Sequence, residues 1–140
     1  MRSNRILGIS LMLLAALIIT DGILGPLMLN QIHFRTSSSG LNQIRGGDLA
    51  ALVVVAPVCL VVGALAWRGR SAAPVLALAP ALFSVYTYAQ LILGNEYLQL
   101  PGNVEQVFPL LLAMFLLAAG VAPWLELGSA QESSSDVWTA

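Results

Sequence analysis

Residues 49–67 read LAALVVVAPVCLVVGALAW, nineteen positions without one charged side chain. At about 1.5 Å of helical rise per residue, such a run nearly covers the ~30 Å hydrocarbon core of a bilayer. Three comparable blocks accompany it, at about 6–25, 72–93 and 104–124. The four blocks predict an all-α integral membrane protein: an up-down antiparallel four-helix bundle occupying residues 1–125. Residues 126–140 are polar, acidic and serine-rich, and read as a flexible tail.

Composition agrees with this segmentation. Of 140 residues, 58% are hydrophobic and 9% charged, and the mean hydropathy is +0.84. A soluble domain needs roughly a quarter of its residues charged to cover its surface. The net charge is −1, and the six basic residues are all arginine and are scattered. With no basic stripe to hold phosphates, nucleic-acid binding is disfavoured. Cys59 is the sole cysteine, which excludes an intramolecular disulfide, and its apolar surroundings read as those of a small buried hydrophobe.

The connections follow from the polar punctuation. The first block ends at Gly25-Pro26. Although Arg2 and Arg5 precede it as in a secretory signal, it exceeds the usual apolar length and no A-x-A-like site follows, so it reads as a retained span. Residues 30–47, with His33, Arg35, the Ser37-Ser38-Ser39-Gly40 run and Arg45, read as irregular surface. Asp48 then stands where an N-cap of the second span would be. Arg68-Gly69-Arg70-Ser71 is so short that spans two and three must form an antiparallel hairpin. Residues 94–102 form the second polar connection, and Asn103 with Gln106 resembles a capping box for the fourth span.

Arginine placement predicts the orientation. Arg2, Arg5, Arg68 and Arg70 fall on one side, against Arg35 and Arg45 on the other, so positive-inside counting puts both termini in the cytoplasm of a cell's inner (plasma) membrane. Arg2, Arg5, Trp67, Arg68 and Arg70 are the expected membrane-interface anchors.

Asp21 is the most informative single residue, because an ionisable group inside a span is costly. It reads either as a proton, cation or ligand counter-charge site, or as a group paired with Arg45, bonded to a tyrosine, or reaching the interface. Tyr86 and Gln90 share one face of span three, and Ser84 and Tyr88 another. Asp21, Tyr86, Tyr88 and Gln90 are therefore candidates for an outward ligand or ion cavity, the alternative being an aromatic belt with Gln90 bonded to a neighbouring helix. Ala73, Ala77, Ala81, Val85 and Ala89 form a stripe of small residues for helix packing. Pro57 and Pro80 each remove an internal hydrogen bond and bend their spans.

One histidine among the scattered carboxylates Asp48, Glu96 and Glu105 lacks metal-ligand spacing, and no metal is assigned. No nucleophile–base set or phosphate loop is present, so the chain does not read as an enzyme, and no cofactor is implied. There is no internal repeat of the kind that builds inverted-repeat transporters.

From Gly46 to about Leu110, Gly47-Asp48-Leu49 opens a span, Pro57 bends it and Arg68-Gly69 closes it. Tyr86-Thr87-Tyr88 then lies late in the next span, before Gly94. This order resembles a family of small multi-pass bacterial membrane proteins that are mostly labelled hypothetical, a likeness implying membrane residence but no substrate. The leading expectation for function is a non-catalytic accessory or structural subunit, with the lipid bilayer and other membrane subunits or further copies of the chain as partners. The alternative is a small transporter or ligand-binding protein using the outward cavity.

Overall fold

A computed structural model describes residues 2–96, 98–121 and 123; the side chains of Arg2 and Ser3 fall outside that description. Among the described residues the fold is all-helical, and four helices are long and apolar enough to cross a membrane. Helix α1 is Arg2–Leu24, α4 is Ala73–Leu93, and α5 is Phe108–Val121, led by a 3-10 turn at Val104–Val107. The second rod is composite: α2 (Ser38–Ala50), a π turn (Ala51–Val55) and α3 (Ala56–Trp67) run on without a break. Trp124 and the tail at 126–140 lie outside the described residues.

The rods form a ring in chain order, α1 against α3, α3 against α4, α4 against α5, and α5 back against α1. The residues of α1 that meet the bundle are Leu7, Leu11, Leu14, Ile18 and Asp21, all buried, at alternating steps of four and three. Ile6, Ile9, Leu13 and Ile23 face outward. Apolar side chains all round a helix are what an apolar surrounding medium permits.

Closest approach between α1 and α3 is made by glycine on both sides. A Cβ on Gly8 would lie 2.8 Å from the Gly63 carbonyl oxygen, and one on Gly63 would lie 3.1 Å from that of Gly8. At the same end the Arg5 guanidinium lies 6.0 Å from the centre of the Trp67 ring, within cation–π range. Helix α3 then stops in a Schellman arrangement. Gly69, at φ +73, donates to the Ala66 carbonyl at 2.9 Å and Arg70 to that of Leu65 at 3.0 Å. Only glycine holds that left-handed φ without steric cost. Trp67, Arg68 and Arg70 are exposed there.

Three features depart from the sequence reading, the first being the capping box at Asn103 and Gln106, since the Asn103 side chain makes no cap hydrogen bond at the start of the fourth span. Residues 38–47 are helical, not irregular, and the helix is capped by Ser37, whose side chain accepts from the Gly40 amide at 3.2 Å. Asp48 is accordingly no N-cap. It lies in the last turn of α2 and is buried. Hydropathy falls away at Asp48 while the backbone helix continues, because polar side chains end the apolar signal without ending the hydrogen-bond ladder.

The π turn accompanies Pro57. Proline has no amide hydrogen to give its i−4 carbonyl, and here the Ala56 amide reaches back five residues to Ala51, widening the turn by one residue. Pro80 is handled differently. It stays inside α4, and the buried Ser84 hydroxyl donates to its carbonyl at 2.8 Å.

Helix α4 presents Ala73, Ala77 and Ala81 to the bundle, then Ser84, Tyr88 and Leu91. The first half of the small-residue stripe is buried. Beyond Ala81 the buried line follows the steps of three and four in Ser84, Tyr88 and Leu91, and Val85 and Ala89 are only half-buried.

Candidate functional site

At the end of the bundle away from Arg68-Gly69-Arg70, the chain between α1 and α2 crosses as an extended strap. It is fixed by the connection between α4 and α5. Asn103 accepts from the His33 amide at 2.7 Å through Oδ1 and donates through Nδ2 to the Gln31 carbonyl at 3.0 Å. The Asn95 Oδ1 accepts from the Arg35 amide at 2.9 Å, and its Nδ2 donates to the Leu91 carbonyl. The Arg35 side chain donates to the Leu100 carbonyl at 2.7 Å. Its Nε also lies 2.8 Å from Glu105 Oε1 as an ion pair, with the N–H not aimed along a hydrogen bond. A Cβ on Gly102 would collide with the His33 carbonyl and lie 2.7 Å from Arg35 Cγ, so the strap lies flat only because that residue is glycine.

Beneath the strap, α1 meets the composite helix through glycines again. Gly22 accommodates the Leu52 side chain, whose carbons would lie 2.6 Å from an added Cβ. Three residues on, a Cβ on Gly25 would lie 3.2 Å from Asp48 Oδ2. These small residues bring the second rod close enough to bury two carboxylic acids, with Asp21 3% and Asp48 6% exposed. The pair lies within mutual electrostatic reach, and Tyr88, 1% exposed, lies within reach of both.

Neither acid is neutralised by a base. The one ion pair among the described residues is Arg35–Glu105, and Arg45 is exposed on α2. The pairing of Asp21 with Arg45 weighed from the sequence is therefore absent. Asp21 Oδ1 is buried and has no hydrogen-bond partner. The Asp48 carboxylate accepts no hydrogen bond from any described residue.

Between α2 and α4 a cleft of about 500 Å³ opens, and Asp48 lines it. Facing Asp48 across the cleft are Phe83, Tyr86, Thr87 and Gln90 of α4, with Gly47 and Ile44 on its own side. The four residues singled out from sequence thus divide into two pairs. Tyr86 and Gln90 line the cleft, whereas Asp21 and Tyr88 are buried behind it in the bundle. Tyr86 is 68% exposed and lies on the outer face of α4.

Asp48 is the member that sequence reasoning missed. Leu41, Ile44, Asp48 and Ala51 recur at steps of three, four and three, which is an amphipathic helical signal inside a polar stretch. His33 is exposed in the strap, and among the described residues no three His, Cys, Asp or Glu side chains gather as metal ligands do. In comparisons with protein-family models, curated proteins and solved structures, none matched this chain.

Proposed function

We propose that this chain is a non-catalytic, ligand-binding protein of the plasma membrane, whose cleft between α2 and α4 receives a small molecule from the extracytoplasmic side. The observation that carries this reading is Asp48: an acid 6% exposed, without a hydrogen-bond or ion-pair partner among the described residues, on the wall of a cleft of about 500 Å³. Sites for small ligands combine such a concavity, mostly apolar, with a few fixed polar groups.

Depth supports it as well. Trp67 lies nineteen positions beyond Asp48, or ~28 Å of helix at the usual rise. With Trp67, Arg68 and Arg70 at the cytoplasmic interface, Asp48 stands at the outer hydrocarbon boundary, and the polar α2 projects into the headgroups and water. Both termini are then cytoplasmic, as the four arginines at that end favour. Kinship with small multi-pass bacterial membrane proteins rests on the order of features between Gly46 and Leu110.

The test is native mass spectrometry of the purified chain and of Gly47→Trp. Gly47 lines the cleft and a Cβ there meets nothing within 4 Å, so the variant is expected to add bulk to the cleft, with circular dichroism as the check on its fold. Bound small molecules are expected on the parent protein and not on the variant. Identical spectra from the two would sink the reading.

The accessory-subunit role keeps one specific observation in its favour. A second, more open groove runs between α1 and α5, where Ser10, Ala113 and Gly120 lie among leucines, and a Cβ on Gly120 meets nothing within 4 Å. Small residues on an outward face let a second helix approach closely. Recovery of the chain only as a single copy, without partners, after mild detergent extraction would count against this role.

A further inference from the structure

The binding reading leaves open what the cleft takes, and the following rests on that reading. Among the described residues that line it there is no Lys, Arg or His, and Asp48 is the one charged group. A buried carboxyl with no base beside it stays neutral or takes a cation as its partner, and with no base on the lining a cationic ligand group is the one that complements Asp48. The polar atoms around it restrict the cation further. Thr87 and Gln90 line the same cleft opposite Asp48, and neither side chain is engaged by another described residue. Asn95 also lines it but is occupied, holding the Arg35 amide and the Leu91 carbonyl.

A primary ammonium carries three N–H donors, and Asp48, Thr87 and Gln90 each present it with acceptor oxygen, with Thr36 and Gln43 further along the same lining. A quaternary ammonium has no N–H and would leave the Thr87 and Gln90 oxygens unmatched. Phe83, Leu91 and the Tyr86 ring supply apolar wall for carbon next to the nitrogen. Asp21 lines no part of the cleft and stands behind Asp48.

We propose that the cleft binds a primary alkylammonium group, seated on Asp48 and held by Thr87 and Gln90. Two sources present that chemistry at this depth: the headgroup of an aminolipid in the outer leaflet, and a free amine arriving from water.

The experiment is native mass spectrometry of the whole protein in detergent, titrated separately with dioleoyl-phosphatidylethanolamine, dioleoyl-phosphatidylcholine and dioleoyl-phosphatidylglycerol. Each titration is repeated with n-butylammonium chloride in competition. The ethanolamine lipid is expected to bind at least fivefold more tightly than either of the others. Asp48→Asn is expected to erase that preference, Asp48→Glu to keep most of it, and Asp21→Asn to leave it within twofold. Circular dichroism checks that each variant is folded.

Displacement of the lipid by butylammonium assigns the free amine as an equivalent source, and resistance to it assigns the lipid headgroup; both support ammonium recognition. Equal binding of the choline lipid, or a preference that survives Asp48→Asn, overturns the ammonium inference. If Gly47→Trp nevertheless abolishes binding in that case, the cleft remains a binding site and only its ligand class is wrong. If Gly47→Trp changes nothing, the binding reading falls with it.

Discussion

The Asp48 carboxylate oxygen Oδ2 stands 3.2 Å from the point where a Cβ on Gly25 would sit. That spacing joins two elements 23 positions apart in the chain (48 − 25), and sets how deeply the acid is held. The same Cβ would meet the Asp21 carbonyl oxygen at 2.8 Å, a backbone atom with little room to yield.

Gly25→Ala is therefore expected to destabilise the bundle by about 1–3 kcal/mol through overpacking. Gly46→Ala is the control. Its Cβ meets nothing within 4 Å, and replacing glycine in a helix stabilises by about 0.5–1 kcal/mol. Thermal unfolding in detergent, followed by circular dichroism, should separate the two variants in opposite directions. A Gly25→Ala protein as stable as its parent would mean that the rods are not so close.

The crossing of α1 and α3 at Gly8 and Gly63 yields a second contrast. Gly8→Ala puts carbon 2.8 Å from a backbone oxygen, and a cost of about 1–3 kcal/mol is again expected. Gly120→Ala, on an open face, should be neutral or slightly stabilising. The same melts check both, and equal behaviour would contradict the crossing.

Arg35 and Glu105 should be unequal partners. Glu105 is half exposed, at 48%, and exposed ion pairs contribute about 0–1 kcal/mol. Glu105→Gln should therefore change stability little. Arg35→Ala also removes the bond to the Leu100 carbonyl and should loosen the strap further. Hydrogen exchange at the His33 and Arg35 amides reports this, with faster exchange expected in Arg35→Ala and little change in Glu105→Gln. Equal acceleration in both would locate the strap's hold in the ion pair alone.

The helix at 38–48 is directly testable. Ser37→Ala removes the side-chain acceptor for the Gly40 amide, a loss of about 0.5–2 kcal/mol at a helix start. Amide exchange should quicken over residues 38–42 and remain slow at 56–66. Rapid exchange through 38–47 in the unaltered protein would restore that stretch to irregular structure.

Orientation can be read with a membrane-impermeant maleimide on intact cells. Cys59 is buried and should stay unlabelled. Ser39→Cys, exposed in α2, should label from outside. Ser71→Cys, exposed in the short turn, should label only after lysis. The reverse pattern would invert the topology and place the cleft on the cytoplasmic side.

The sequence by itself determined the class and the number of membrane-length helices, because a run of apolar residues near twenty is sufficient for a spanning helix whatever packs beside it. It also determined the Arg68–Ser71 turn, where Gly69 and the shortness of the link leave the chain few options. Hydropathy did not reveal where the second helix begins, although the Leu41, Ile44, Asp48, Ala51 periodicity and the Ser37 cap are local signals for it. A polar helix carries no hydropathy signal, and Ser37 caps this one at the end of the strap. Tertiary structure alone decided that Asp21 and Asp48 share one junction. Their proximity depends on Gly22 and Gly25 admitting the second rod, and on a π turn at Ala51–Val55 that widens one turn ahead of Pro57. Close approach of this kind is set by atoms from two distant segments, and no local pattern in either segment encodes it.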